Sequence, residues 1–308
     1  MSDEPALIAA IHAHPLDDAP RLVYADWLDE HGGAHAARAE FIRLQCELAV
    51  LPAYDPTYRT LKAREAELLA AWRTDWLRPL GRSRRDAVFA RGFPVPSLAD
   101  LDLDRLRRVT EKRLRAAPLW RYSYTMTGAA LDGLLAWPQL HRLTTFALRQ
   151  PQIPDGWVER IAACDGLRNV TELAFTRCPM TAADLETILN AWVGRRLTSL
   201  WVNECPVGDA GARVIARHPA VAGLRLLRAH TAGLTGRGIK ALVDSPHLTR
   251  VTLATFAHNR IGDAGAGHLL RWAALPGLSE LYLMNTGISK RTGERFLGRP
   301  DQLVKLGS

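Results

Sequence analysis

Gly208-Asp209-Ala210-Gly211-Ala212 recurs letter for letter as Gly262-Asp263-Ala264-Gly265-Ala266, 54 residues further along the chain. Internal self-similarity of this kind is the mark of a repeat architecture. Halving the offset gives a period of 27, and on it an LxxLxL frame appears. It reads Leu143/Phe146/Leu148, Val170/Leu173/Phe175, Leu197/Leu200/Val202, Leu224/Leu227/Ala229, Leu248/Val251/Leu253 and Leu278/Leu281/Leu283. The frame starts lie 27, 27, 27, 24 and 30 residues apart. Ile153, Met180, Val207, Leu234 and Ile288 each follow their frame by five positions, and Ile261 follows Leu253 by eight, which predicts a three-residue insertion near Thr255–His258. A degenerate earlier copy fits Leu119/Tyr122/Tyr124/Ala129, so the count is about six to seven repeats.

Alternation within LxxLxL places every second residue on one side of a short strand. Each copy then runs into a helical stretch, such as Asp209–Arg217 or Asp263–Trp272. One strand and one helix cannot bury their apolar faces alone, but stacked copies bury them in a continuous core. The expected fold is an α/β solenoid, a horseshoe with a parallel concave sheet and outer helices. Cys178, Cys205 and (with the insertion) Asn259 share one slot, where a polar side chain satisfies backbone groups at the turn. Pro151, Ala232 and Thr286 fill that slot in other copies.

The frame resembles leucine-rich repeats of the ribonuclease-inhibitor-like class over roughly residues 119–300. Ahead of it, ALIAAIHAH, APRLVYADWLDEHGG and AHAARAEFIRLQCELAVL read as helices, followed by another over about Thr57–Leu80. Leu22, Val23, Trp27 and Leu28 are the expected inward face of the second, and Phe41, Ile42, Leu44 and Leu48 that of the third. Arg21-Leu22-Val23-Tyr24-Ala25-Asp26-Trp27-Leu28 and Arg38-Ala39-Glu40-Phe41-Ile42-Arg43-Leu44-Gln45 resemble the bacterial repeat-companion domain, a helical module found beside leucine-rich repeats. Arg91-Gly92-Phe93 looks like its usual junction. That resemblance implies architecture and no chemistry. Arg21, Asp26, Asp29, Glu40 and Arg43 form an expected ion-pair network between short helices. The expected organisation is a helical module over 1–80, a junction and N-terminal cap over 81–117 (Val88–Leu98 extended, Asp104–Ala116 helical), and the repeats over 118–308.

Composition narrows the function. Of 308 residues 47% are hydrophobic, enough to bury a core, and there is no apolar run long enough to span a membrane. The first residues lack a basic region and cleavage site, so no signal peptide is expected. Four Cys with no CxxC pair make no disulfide framework, and the expectation is a cytoplasmic protein without membrane partners. Phosphate-loop, dinucleotide, HExxH and GxSxG signatures are absent. His12, His14, His31 and His35 are expected to be exposed rather than metal ligands, because Gly32-Gly33 lies between His31 and His35, four apart, and argues against one helix presenting both. No enzyme activity, cofactor or metal is expected.

What remains is the concave face, where the residues between framed positions point outward. Arg149, Trp201, Asn203, Arg228, His230, Arg250, Tyr282 and Met284 stand out there as expected contacts for a protein partner of unknown identity. Trp, Tyr and Arg are the types enriched at interface hot spots. Two readings of Trp201 and Arg228 are open: a self-contained cation–π pair, or part of a binding surface. The net charge of +8 supports an alternative, RNA or DNA binding through Arg82, Arg84, Arg85, Arg105, Arg107 and Arg108 and the convex helices.

Overall fold

The computed structural model describes residues 3–14, 17–51, 55–84, 87–95, 120–124, 128–149, 155–272, 277–296 and 303–306. The chain divides into two units, Met1–Tyr122 with Arg142–Thr144, and Ser123–His141 with Thr145–Ser308.

Four helices open the first unit: α1 (Glu4–Ala13), α2 (Ala19–His31), α3 (Ala34–Leu48) and α4 (Pro56–Leu77). Pro5, Pro20 and Pro56 sit in first turns, where a missing N–H loses no helical bond. Gly32 and Gly33, both at positive φ, reverse the chain between α2 and α3. The buried face of α2 is Arg21, Tyr24, Ala25 and Leu28, at i, i+3, i+4 and i+7. Leu22 and Val23, expected inside, are 39% and 53% exposed. Arg43 on α3 pairs with Asp26 and Asp29 on α2, while Arg64 on α4 grips both Glu40 oxygens at 2.6 and 2.9 Å. Exposed pairs of this kind contribute about 0–1 kcal/mol each, so they orient the helices more than they hold them. Arg21 is not part of that network. It is buried, donates to the Asp17 carbonyl and lies over Phe93.

The hairpin β1 (Val88–Ala90) and β2 (Phe93–Val95) is antiparallel, with Ala90 opposite Phe93. Its two turn residues, Arg91 (φ 51°) and Gly92 (φ 81°), are both left-handed, as a two-residue turn between twisted strands requires. A Cβ at Gly92 would stand 2.6 Å from the Ile42 Cα, so only glycine lets the turn lie on α3. The Gly92 amide donates to Gln45 Oε1 at 2.7 Å, and Gln45 Nε2 donates to Glu65 Oε1 at 2.6 Å. One buried carboxamide thus ties α3, α4 and the hairpin together. Phe93 packs with Ile11, Tyr24 and Ile42, and Phe89 with Phe41 and Trp76. Phe89 and Phe93 of this hairpin, expected within the cap, therefore pack in the core clusters of the helical unit. The expected helix Asp104–Ala116 lies outside the described residues.

The second unit carries the solenoid, although residues 120–122 of its first strand and 143–144 of its second group with the first unit. Its strands are β3 (Trp120–Tyr124), β4 (Leu143–Arg149), β5 (Glu172–Thr176), β6 (Ser199–Asn203), β7 (Leu226–Arg228), β8 (Leu253–Thr255), β9 (Glu280–Tyr282) and β10 (Leu303–Lys305). They form one eight-stranded sheet in chain order, and the pairs from β4 to β10 are parallel. Helices follow the strands: α5 (Gly128–Leu135), α6 (Trp157–Ala162), α7 (Ala182–Ala191), α8 (Gly208–Arg217), α9 (Gly236–Val243), α10 (Gly262–Trp272) and α11 (Lys290–Gly293).

The register corrects the fifth copy. Leu227 pairs with Ala254 and Ala254 with Leu281, each 27 residues on, so the period holds through the fifth copy without an insertion, and it shortens only at β10, where Leu303 pairs with Glu280. The inward residues are Val251, Ala254 and Phe256, at 4%, 0% and 0% exposure. Leu248 belongs to a different buried column, with Leu140, Leu167 and Val221, three positions ahead of the frame. Leu253 points outward, and by chance completes a false LxxLxL. On the true frame Asn259 reaches its slot, and Ile261 its position, with no adjustment.

The repeated pentapeptide now has a physical reason. Asp209 on α8 accepts from the Thr235 and Gly238 amides, capping the next helix, α9, and Asp263 accepts from the Ser289 amide one coil later. The glycines let neighbouring helices touch: a Cβ at Gly265 would stand 2.9 Å from the Gly236 Cα and 2.4 Å from Ile261 Cγ2. Gly265→Ala is expected to destabilise the solenoid by about 1–3 kcal/mol through this overpacking. Urea unfolding followed by far-ultraviolet circular dichroism reads it; an unchanged midpoint would show that the helices separate at little cost. Strand β10, which pairs with β9 and extends the sheet, was not foreseen.

Candidate functional site

Helices cover one side of the sheet, and the other side carries the outward residues in register. Its middle column runs Ala147, Ala174, Trp201, Arg228, Thr255, Tyr282 and ends on Lys305. The Arg228 guanidinium carbon lies 4.4 Å from the Trp201 ring centre, and Lys305 Nζ 5.4 Å from that of Tyr282. Each aromatic polar tip is held from within its own strand: Trp201 Nε1 donates to Ser199 Oγ at 2.9 Å, and Tyr282 OH to Glu280 Oε2 at 2.6 Å. Glu172 likewise accepts from Thr145 Oγ1 across strands at 3.0 Å. The aromatic rings are thus fixed in orientation, with both cations resting on them.

The structure brings Trp201, Arg228 and Tyr282 together on this column, all half-buried. Arg149, Asn203, His230 and Met284 fall on the third outward position of their copies, at the ends of the strands. Asn203 is only 8% exposed and its Oδ1 accepts from the His230 amide at 3.2 Å, so it braces the next strand rather than facing a partner. Arg250 is off the sheet face. It precedes Val251 in the loop entering β8, an error inherited from the misplaced frame. Leu253, Thr255 and Ala257 take the outward positions of that copy. Of the arginines named for nucleic acid, Arg85, Arg105, Arg107 and Arg108 lie outside the described residues, as do the side chains of Arg82 and Arg84.

A second row of residues lies beside this face, and the sequence reading missed it. Arg177, Glu204, Thr231, His258 and Asn285 are spaced 27 apart, each with φ between 51° and 57°. They make the turn after each strand, and their backbones form a ladder: Arg177, Glu204, Thr231 and His258 donate to the carbonyls of Asn203, His230, Ala257 and Met284. A left-handed residue with a Cβ is disfavoured by about 1–2 kcal/mol relative to the right-handed region. Their side chains link up along the rim. Arg177 Nε donates to Glu204 Oε2 at 2.7 Å, Glu204 Oε1 lies 3.6 Å from His230 Nε2, and His230 and His258 meet edge to face at 6.0 Å. The Arg177 hydrogen bond holds the Glu204 carboxyl below its ordinary value. Desolvation pulls the His230 imidazole down from its ordinary value, against the opposing pull of Glu204. The signal available was the position itself, one residue before the Cys/Asn slot in every copy.

Thr231 Oγ1 lies 2.9 Å from His230 Nδ1, which sets a hydroxyl, an imidazole and a carboxylate in line. That is the arrangement nucleophilic catalysis uses. Here Thr231 is exposed, and the second Glu204 oxygen is taken by Arg177. Among the described residues no group of three His, Cys, Asp or Glu side chains is placed to hold a metal ion, and no helix is long and apolar enough to cross a membrane.

The parallel register and the helices that follow β3 to β9 define the second unit as a leucine-rich-repeat-like solenoid, preceded by a helical N-terminal unit. The chain is similar to a solved structure from yeast, the complex of Rad7 and Elc1, at 15% identity and a TM-score of 0.43. The match covers 68% of this chain and 53% of that one, so the chain spans about half the length of its counterpart. No protein-family model matches the sequence, and no curated protein does.

Proposed function

We propose that the protein is a non-catalytic recognition module that holds a protein partner against the outward face of its sheet. The observation that carries this reading is the middle column, where Trp201 and Tyr282 are anchored by their own strands and left half-exposed. Pre-oriented aromatic and arginine side chains contribute contact area at low ordering cost. The helical unit is proposed as a repeat-companion module, supported by Arg38, Phe41 and Gln45 of its motif, which organise the core of that unit. A cytoplasmic location is part of the same proposal.

Capture from an extract of the native host, compared between the wild-type protein and the Trp201→Ala/Arg228→Ala double variant, tests it. At least one captured protein is expected to fall about tenfold with the double variant, which corresponds to loss of a single hot spot. Circular dichroism of both proteins establishes that the variant is folded. If every captured protein survives the substitutions, the partner does not use this face.

A further inference from the structure

Arg228 sits on the face without a hydrogen-bond acceptor. Its Nε is sealed from solvent and unpartnered, and its guanidinium stacks on Trp201. Stacking engages the flat face of a guanidinium, while its N–H donors point outward in the plane and stay available. The carboxylates of this face do not serve it: Glu172 is bonded to Thr145, and Glu280 to Tyr282. Three strands along the same column, Lys305 stands over Tyr282 in the same posture, exposed. The column therefore repeats one device twice, an aromatic ring carrying a cation whose terminal nitrogens hold no hydrogen bond, and the column itself contains no acid.

We infer that this column binds an extended acidic peptide segment, with one carboxylate on Arg228 and a second, four residues away, on Lys305. The spacing follows from sheet geometry. Three strand steps of about 4.8 Å separate the two cations by about 14 Å, and four residues of extended chain span about the same distance. Between them Thr255 offers a hydroxyl, and Leu226 and Leu253 on the neighbouring column give a half-buried apolar floor for the intervening side chains. Phosphate recognition gathers several cations around one group. Here single cations stand apart, which suits monoanionic carboxylates. The inference rests on the sheet face being the recognition surface.

Three fluorescein-labelled nonapeptides of Ser, Thr and Val test it by fluorescence anisotropy: one with Glu at its third and seventh positions, one with Glu at its fourth and fifth, and one with Lys at its third and seventh. The first is expected to bind about tenfold more tightly than the second, and Arg228→Gln and Lys305→Gln are each expected to weaken it about tenfold, the loss of one charge-assisted hydrogen bond. Both are single polar replacements on a solvent-facing column, and circular dichroism verifies their folding. Equal binding of the two Glu peptides, indifference to both Gln substitutions, or no saturation by the first peptide up to about 1 mM overturns the inference. So does displacement by inorganic phosphate far more effective than by glutamate at equal ionic strength, which assigns the cations to phosphate. Tight binding of the Lys peptide that Trp201→Ala abolishes would sink the acidic partner alone and leave the sheet-face reading standing. Binding of the first peptide that no substitution on the face alters, Trp201→Ala included, sinks both.

Discussion

Asn259→Ala is expected to destabilise the solenoid by about 3–5 kcal/mol, because one side chain there satisfies five backbone groups. Asn259 is 4% exposed. Its Oδ1 accepts from the amides of Ala232 and Leu234 at 3.0 and 2.9 Å, and its Nδ2 donates to the carbonyls of Ala229, Phe256 and Ala257 at 2.7, 2.8 and 3.2 Å. Alanine leaves two buried N–H groups without an acceptor, and each such orphan costs about 1–3 kcal/mol. The two cysteine copies show how the chain manages without a carboxamide. There the thiols donate, Cys205 to the carbonyls of Phe175 and Asn203, and Cys178 to those of Leu148 and Thr176, while the Cys205 sulfur also meets the Cys178 amide. The amides of Met180 and Val207 instead close onto the carbonyls of Cys178 and Cys205 within their own coil. Asn259→Cys should therefore lose less than Asn259→Ala, since a thiol retains donation and weak acceptance while alanine retains neither. For a unit of this size the alanine variant corresponds to a fall in Tm of roughly 10 °C. Thermal unfolding by circular dichroism reads both variants. An alanine variant melting with the wild type would mean that the Ala232 and Leu234 amides find other partners.

The period was legible because the core of a solenoid repeats in one dimension, and every buried column must repeat with it. Six copies of the apolar frame left the strand, the helix and the slot at fixed offsets. The fifth copy misled for a local reason. Its frame holds Ala254 where a large residue was sought, while Leu248 and Leu253, one from a flanking column and one facing outward, imitate the pattern. Arg250 entered the expected surface through that slip. The rim was illegible for a different reason. A left-handed turn is ordinarily announced by Gly or Asn, and only Asn285 of the five residues obeys. In α2 the apolar residues Leu22 and Val23 misled because the inward stripe includes Arg21, a charged side chain that buries itself by bonding the Asp17 carbonyl. Trp201 and Arg228 were legible as a patch, but not that stacking would engage only the guanidinium's face and leave its edge open.

Arg38 supplies the second large effect, in the helical unit. Its guanidinium carbon lies 4.8 Å from the Trp76 ring centre, 5.4 Å from Phe93, 5.7 Å from Phe89 and 5.9 Å from Phe41, so four rings from α3, α4 and the hairpin converge on one cation. Nη1 is sealed from solvent and has no hydrogen-bond acceptor. Burial pulls the pKa of Arg38 down to about 10, with Tyr24 opposing that shift. A depressed folded-state value for a cation means that the folded form binds its proton less tightly than the unfolded form. Its penalty on stability is therefore fully present through the neutral range and eases only as pH rises through the folded value. Ring quadrupoles offset part of that penalty, by about 2 kcal/mol or more for a desolvated pair. Two substitutions separate charge from volume. Arg38→Ala empties the space between the rings and is expected to destabilise the unit by about 3 kcal/mol, as a large-to-small change in a core does. Arg38→Met keeps an unbranched chain and a polarizable sulfur against the same rings while removing the unpaired charge. It is expected to fall within about 1 kcal/mol of the wild type or to exceed it, because a buried ion without a carboxylate stabilises little that a well-packed apolar group cannot. Urea unfolding followed by tryptophan fluorescence, with Trp76 as a local reporter, distinguishes the cases. If methionine unfolds the unit as readily as alanine, the cation itself is what holds the four rings together.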